Sequence, residues 1–431
     1  MRILVANDLY GRSSAAGVAV RMAEGLAARG HDVGFLATTQ ESGGGRLFEQ
    51  GGVQVELTET PAYPLRWRAW RSLDNPPGNA AMAAAIERFR PDVVHVHNLH
   101  IHLGYASLAV ARAAGVPTVL HVHDIMPVCH QKMFCHLDER LLPGDPVVYR
   151  NGPLKCAVCV RGRYNPLRNR RIRAAIAEHV SELVTVSDEM ASALAQNGIG
   201  PATTIVNAVG DDAPPPEAPE VLAAAERLRT EHNLHDRQLV FYGGRLDRLK
   251  GGLELVTALA AVAEDFPNVC LLTVGEALPG FHQEMLSLAG RLGLRAEQLV
   301  HLGWLSGEEL AAAYSLADVV TSPSLCFESF GLVNLEAMRA GKPVVASFWG
   351  GPSDVVVDGV TGYLVNPMQT ATLADRLRRL LTDPARSARM GAAGRRRAAE
   401  VFGLEGQLDA VEALYRGAGW LNEPAPQGTH A

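Results

Sequence analysis

Glu328-Ser-Phe-Gly-Leu-Val-Asn-Leu-Glu336 is the stretch that decides the fold. Upstream, Ala317-Asp-Val-Val-Thr-Ser-Pro-Ser324 is a short apolar run closed by Ser-Pro-Ser, the pattern of a buried strand and its exit loop. Downstream, residues 332–340 mix apolar and polar side chains at helical spacing. Gly341 is placed as a C-cap, and Pro343 stops the helix before another strand at Val344-Val-Ala346. Gly331 therefore falls at a helix N-terminus just after a parallel-sheet strand. Free amides and the positive end of the helix dipole make such a place an anion site. Glu328 and Glu336 bracket it and suit a phosphate-bearing ligand with hydroxyls at both ends. Two solvated carboxylates on an ordinary α/β helix look the same in isolation, so other motifs must separate the two cases.

The chain has 431 residues, too many for one ordinary core. Its 47% hydrophobic and 20% charged content is that of a globular α/β enzyme. A net charge of −6 gives no electrostatic footprint for nucleic acid. No apolar run reaches the ~18 residues of a membrane span. Met1-Arg-Ile-Leu-Val-Ala-Asn-Asp8 turns polar too early for a signal sequence and reads as a first strand. A cytoplasmic protein with reduced thiols is expected, its six cysteines being metal ligands or buried apolar groups.

Arg2 to Ala6 opens a strand–loop–helix–strand unit, with the helix expected from Gly17 to Arg29 and the next strand from Val33. Gly17 is placed where a loop could hold phosphate, although Gly11 and Gly17 alone do not make a dinucleotide fingerprint. Leu65-Arg-Trp-Arg-Ala-Trp-Arg71 is basic and Trp-bearing. It reads either as an acceptor-side or membrane-surface patch, or as Trp packed inward with the Arg left wet. Asp92-Val-Val-His-Val-His97 and Thr118-Val-Leu-His-Val-His123 are apolar strands with His at period two, so each pair shares a face. His123, followed by Asp124, falls where open α/β sheets bind ligands. Cys129, Cys135, Cys156 and Cys159 follow closely and are candidate ligands of a structural zinc; free thiols are the other reading. The Pro-rich run after Asp211 reads as a linker.

A second α/β series begins at Gln238 and runs through strands near 269–275, 300–303, 317–322 and 344–346. Gly243-Gly-Arg245-Leu-Asp-Arg-Leu-Lys250-Gly251 leaves its first strand. Gly244 permits close backbone approach; Arg245 can fork onto a diphosphate and Lys250 can act as a point charge. The boundaries expected are 1–208 for an N-terminal Rossmann-like domain, 209–222 for a linker and 223–402 for a C-terminal Rossmann-like domain. A helix at about 403–420 is expected to pack back on the first domain, and 423–431 looks disordered.

Gly244-Arg245…Lys250-Gly251, Glu328…Glu336 around Phe330-Gly331-Leu332, and His123-Asp124 together resemble the retaining family 4 glycosyltransferases. Gly341-Lys-Pro-Val-Val, Asp358-Gly-Val-Thr-Gly362 and Asp383-Pro add to the resemblance. It implies an α/β, GT-B fold: two Rossmann-like domains whose parallel sheets face each other across a cleft. It implies that Arg245 and Lys250 bind the diphosphate of a nucleotide-sugar and that Glu328 holds donor-sugar hydroxyls. The Phe330, Gly331 and Leu332 amides would hold sugar and phosphate, Glu336 the ribose, and His123 the sugar near the reacting face. Gly17 would approach the phosphate from the other domain. The family's usual Gly-Gly near the first helix is here Ala16-Gly17, and Leu325-Cys-Phe327 lengthens the approach to Glu328.

No D-x-D triplet occurs, so no catalytic metal or other cofactor is expected. The expected activity is transfer of a hexose or N-acetylhexosamine from a UDP-sugar to a hydroxyl acceptor, with front-face retention. A GT-B epimerase or phosphorylase, and a non-catalytic nucleotide-sugar-binding protein, are the alternatives.

Overall fold

The computed structural model describes residues 1–11, 14–160, 165–209 and 214–422. The architecture is simple in outline: two sheets, each covered on both faces by helices.

β1 (Arg2–Leu9), β2 (Asp32–Thr39), β3 (Arg46–Gln50), β4 (Val53–Glu59), β5 (Val93–Val96), β6 (Thr118–Val122), β7 (Glu182–Thr185) and β8 (Thr203–Thr204) form the first. Its order is β3-β4-β2-β1-β5-β6-β7-β8, parallel throughout except for the β3–β4 hairpin. The second sheet joins β9 (Gln238–Gly243), β10 (Val269–Val274), β11 (Leu299–His301), β12 (Val319–Ser322), β13 (Val344–Ser347) and β14 (Gly362–Val365). Its order is β11-β10-β9-β12-β13-β14, all parallel.

The strands are short runs rich in Val, Ile and Leu, and β5, β6, β10 and β13 are buried at every position. That is the composition of strands covered by helices on both faces. Each sheet accordingly has two apolar layers. One face of the first sheet packs Ile3, Val5, Val33 and Phe35 against Met22 and Leu26 of the helix Ser14–Ala28; the other packs Val94, Val96 and Leu120 against Met82, Ile86 and Leu108. The second sheet repeats the arrangement, with Phe241 and Leu272 on one side and Val240 and Leu271 on the other.

In both sheets the strand order reverses beside the first strand, between β1 and β5 and between β9 and β12. Open α/β sheets bind ligands at that reversal, outside the carboxyl ends of the strands. The carboxyl ends of the two sheets also meet each other. Lys132, after β6, accepts a hydrogen bond through its carbonyl from the Phe327 amide at 2.8 Å, and the Ser187 hydroxyl, after β7, donates to the Ser329 carbonyl at 2.7 Å. Phe327, Phe348 and Trp349 of the second lobe join the apolar layer of the first.

The helix Leu404–Gly417 places Leu408, Val411 and Tyr415 in the first lobe's core, so the end of the chain returns to the lobe where it began. Residues 423–431, read from sequence as disordered, lie outside the described residues, as do 210–213 of the proline-rich run. Pro219, read as linker, is the first residue of the helix Pro219–Glu231; a proline is well suited to that first position because its missing N–H has no helical partner there.

Candidate functional site

The loop that leaves β9 is shaped by its glycines and by Asp247. Gly244 has φ +115°, and a Cβ on neighbouring Gly275 would lie 2.2 Å from the Gly244 carbonyl oxygen. The buried Asp247 carboxylate accepts from the Leu249 amide at 2.9 Å and from Arg245 Nε at 2.7 Å. Arg245 keeps about half its side chain exposed, with 49% accessible. Gly251 has φ +76°, and a Cβ there would stand 1.9 Å from the Pro323 carbonyl oxygen. The two loops after β9 and β12 thus touch backbone to backbone, which brings Lys250 onto Glu328.

Lys250 Nζ and Glu328 Oε2 form an ion pair, and the Ser324 hydroxyl donates to the same carboxylate oxygen at 3.1 Å. Burial alone would push the Glu328 carboxyl upward. Lys250 and Lys132 outweigh it and hold the carboxyl below its usual range. Burial opposes the charge on Lys250 as well, and Glu328 reverses that effect, so the ammonium is held above its ordinary value. Both groups stay charged in a half-enclosed setting, which is the state needed to meet an anionic ligand and its hydroxyls.

Gly331 caps the helix Leu332–Arg339 with φ +90°. A Cβ there would lie 2.6 Å from Asn334 Nδ2, so the left-handed backbone and the crowding both call for glycine. Phe330 is buried edge-on against Phe402 at 5.7 Å, which leaves its backbone rather than its ring for the cleft. Leu332 is half-buried. Glu336 lies one turn further on, and Tyr314 donates its hydroxyl to Glu336 Oε2 at 2.5 Å. Burial, then the Glu336 charge, pushes the Tyr314 phenol well above its ordinary value, so it remains a donor.

Across the interface, β5 and β6 carry a ladder of four imidazoles. His95, His97, His121 and His123 stack with ring centroids 4.5–5.5 Å apart. His97 Nδ1 and His123 Nε2 are 2.6 Å apart; His95 bonds His121 at 3.3 Å and the Tyr415 hydroxyl at 2.7 Å. Burial drives all four imidazoles down, His121 to about 4, so they are neutral near pH 7. His123 stands past the end of β6, on the side where the lobes meet. Gly17 is elsewhere in character: the helix begins at Ser14 rather than Gly17, so Gly17 is buried within its first turn instead of in the preceding loop.

The comparisons with known proteins bear on this arrangement. Residues 224–397 match the family model for glycosyl transferases group 1, and residues 15–210 match that for a glycosyl transferase 4-like domain. A D-inositol 3-phosphate glycosyltransferase of Arthrobacter sp. is 32% identical over 73% of this chain and 69% of its own length. The chain belongs to the group 1 glycosyltransferases. A second D-inositol 3-phosphate glycosyltransferase, from Xylanimonas cellulosilytica, is 39% identical over 46% of this chain, a match that spans 47% of that relative. Among solved structures, sucrose-phosphate synthase from Thermosynechococcus elongatus superposes with a TM-score of 0.74 at 22% identity, covering 97% of this chain and 99% of that one. Anabaena HepE, solved with UDP and glucose, gives 0.71 at 21% identity, covering 97% and 100%. These likenesses establish the GT-B fold, two parallel-sheet α/β domains.

Within this group 1 chain, several contacts at the cleft have no counterpart in the motifs. Asp354 accepts from the Asp188 and Glu189 amides at 2.8 and 3.3 Å, capping a helix of the opposite lobe. Asn366 Nδ2 donates to the Asp138 and Leu141 carbonyls at 2.8 and 2.9 Å. Asp8 accepts from the Ile101, His102 and Leu103 amides, each at 2.8 Å, and so fixes the loop after β5. Such partners are distant in sequence, and only the polar residue at a strand end marks them.

Trp67 and Trp70 are each 49% exposed, on a short turn Leu65–Trp67 and helix Arg68–Arg71, so they are not packed inward. Cys129 is buried, and Cys135, Cys156 and Cys159 are half-buried; none is in a disulfide. No helix among the described residues is long and apolar enough to cross a membrane. A cavity of about 760 Å³ lined by Met1, Asp92, Arg112 and Trp420 lies at the amino-terminal edge of the first sheet, away from all of these motifs.

Proposed function

We propose that this chain transfers a hexose or N-acetylhexosamine from a nucleotide-sugar, UDP-linked, to a hydroxyl acceptor with retention at the anomeric carbon. The observation that carries this reading is the Lys250–Glu328 pair beside the Gly331 helix start, at the strand-order reversal of the second sheet. Arg245, Lys250 and the first-turn amides after Gly331 are the groups for the diphosphate, with Gly244 allowing it close to the backbone. Glu328 takes sugar hydroxyls, Glu336 the ribose, and His123 meets the sugar from the other lobe. HepE, whose structures hold UDP and UDP-glucose, shares this fold and supports the choice of donor.

In the proposed reaction the bond from the anomeric carbon to the β-phosphate oxygen breaks. The acceptor oxygen bonds to that carbon on the same face, and its proton passes to the departing phosphate. Negative charge grows on the phosphate, and Lys250 and Arg245 are fixed in advance to meet it. One such preorganised contact contributes roughly 3–4 kcal/mol. No divalent ion is needed to neutralise the leaving group in this scheme.

The test is release of nucleotide from a panel of nucleotide-sugars with and without an acceptor pool, in buffer containing a chelator. Lys250→Ala should lose about 10²–10³-fold in turnover while retaining its circular dichroism spectrum. Unchanged turnover in that variant sinks the site assignment. Donor consumed without any acceptor points to an epimerase or phosphorylase, and an inverted anomeric proton in the product's NMR spectrum sinks retention.

A further inference from the structure

The segment 123–160 is long and irregular. Its regular structure amounts to the turn Phe134–His136 and the seven-residue helix Pro153–Cys159. Val148, Leu154 and Val158 are 70%, 84% and 80% exposed, so it does not build a core of its own. Yet it forms much of the bridge to the second lobe, through the carbonyls of Lys132, Asp138, Glu139 and Leu141. Irregular segments of this length that hold a fixed shape need a staple or a function. Four of the chain's six cysteines lie in it.

We propose that Cys129, Cys135, Cys156 and Cys159 bind one zinc ion that staples this segment to the face of the second lobe. Cys156 and Cys159 sit one helical turn apart on the same side of Pro153–Cys159. Cys135 and Cys156 both lie close enough to Cys159 to act on its thiol, and close enough to Cys129 to act on that one. Cys129 Sγ accepts from two backbone amides, Gln131 at 3.3 Å and Met133 at 3.2 Å. A thiol is a weak acceptor, so two amides converging on one sulfur fix its position in the turn. Lys132 and Met133 adopt φ +55° and +54° to make that turn, a conformation that costs energy in a residue other than glycine. The surroundings are braced as well: Asn151 donates to the Val128 carbonyl at 2.7 Å, and His136 bonds the Val148 carbonyl at 2.9 Å and Asn151 at 3.1 Å.

The histidine ladder is the competing place for a metal. His95, His97 and His121 are the one set of three among the described residues whose ligand atoms lie within 4.8 Å of one another, so the four sulfurs must still close by side-chain rotation. The imidazoles, however, are stacked at 21–26° between most neighbouring rings, which sends their lone pairs parallel rather than toward one point. His95 also uses both nitrogens already, on Tyr415 and His121. Four thiolates are the donor set of a closed structural zinc site, with Zn–S distances of about 2.3 Å.

The test is metal analysis of the full chain purified without chelator, followed by cobalt exchange. The expected result is about one zinc per chain, with the thiolate charge-transfer and tetrahedral bands of the cobalt form. The double variant Cys156→Ser/Cys159→Ser should lose the metal, whereas Cys270→Ser should keep it. The cobalt spectrum of the unsubstituted chain stands even where the double variant folds poorly. Absence of stoichiometric metal from the unsubstituted chain, or a disulfide in its non-reducing mass spectrum, overturns the proposal. So does metal that survives in the double variant and is lost in His97→Gln.

Discussion

His97 and His123 stand at the carboxyl ends of adjacent strands and share one short hydrogen bond, Nδ1 to Nε2 at 2.6 Å. Only one proton fits between them, so the tautomers of the two rings are coupled and His97 helps to orient His123. In the proposed function His123 meets the donor sugar, so His97→Ala should lower kcat/KM by about tenfold, the worth of one lost buried hydrogen bond. His97→Gln, which can still bond, should recover part of it. Steady-state kinetics on both variants check this, and equal rates for His97→Ala and the unsubstituted chain refute it.

Acid should weaken the fold through the same ladder. A buried imidazole held neutral has its folded pKa below the unfolded value of about 6.5. Its contribution is present above pH 6.5 and is lost as pH falls toward the folded value, about 4 for His121. Each such group removes about 1.4 kcal/mol per pH unit within that window. Asp354 works in the opposite direction: burial raises its carboxyl to about 6, so its contribution is present at low pH and lost as pH rises through that value. Four imidazoles outweigh one carboxyl, and denaturant midpoints at pH 7.5, 6.0 and 5.0 should fall in that order.

Gly251→Ala should damage both stability and turnover. The added Cβ meets the Pro323 carbonyl oxygen at 1.9 Å in a left-handed backbone, and relief requires separating the loops that carry Lys250 and Glu328. Gly244→Ala meets no atom within 4 Å and strains only the backbone at φ +115°, so its melting temperature should fall less. Thermal unfolding of the two variants, side by side, distinguishes crowding from strain.

Much of this was open to reading from the sequence. The strand before Ser322, the helix from Leu332 and the left-handed stop at Gly341 follow from apolar spacing and from glycine and proline chemistry, all local properties. The β3–β4 hairpin was missed although Gly51-Gly52 between two alternating runs is a hairpin signal. Other features had no local signal at all. Lys250 meets Glu328 across 78 residues, Asp188 meets Asp354 across 166, and His95 meets Tyr415 across 320. Spacing cannot show such pairs, because the sheet order rather than the chain order makes them neighbours.

Tyr314→Phe should raise KM for the donor about fivefold with little change in kcat. The lost hydroxyl removes one hydrogen bond that orients Glu336, at about 1 kcal/mol, and in the proposed function Glu336 meets the ribose rather than the reacting carbon. A comparable fall in kcat would show that Glu336 serves the chemical step instead.

Asp354→Ala should lower stability by about 1 kcal/mol, the usual worth of a helix cap. The cap belongs to one lobe and the capped helix to the other, so the loss should also separate their unfolding. Calorimetry checks this: one broadened or divided transition is expected, and an unchanged sharp transition refutes it.

The return of the helix Leu404–Gly417 to the first lobe means the backbone crosses between lobes twice. The two crossings meet where Val209 pairs with Gly403 and the Val209 amide donates to the Phe402 carbonyl at 3.3 Å. A single tether would let one lobe swivel freely about it. Two crossings pinned to each other are built like a door hinge with two knuckles, which would confine any opening to one axis. Such a swing would carry Lys250, Glu328 and Glu336 as a unit relative to His123, with the Lys250–Glu328 ion pair kept intact within its own lobe.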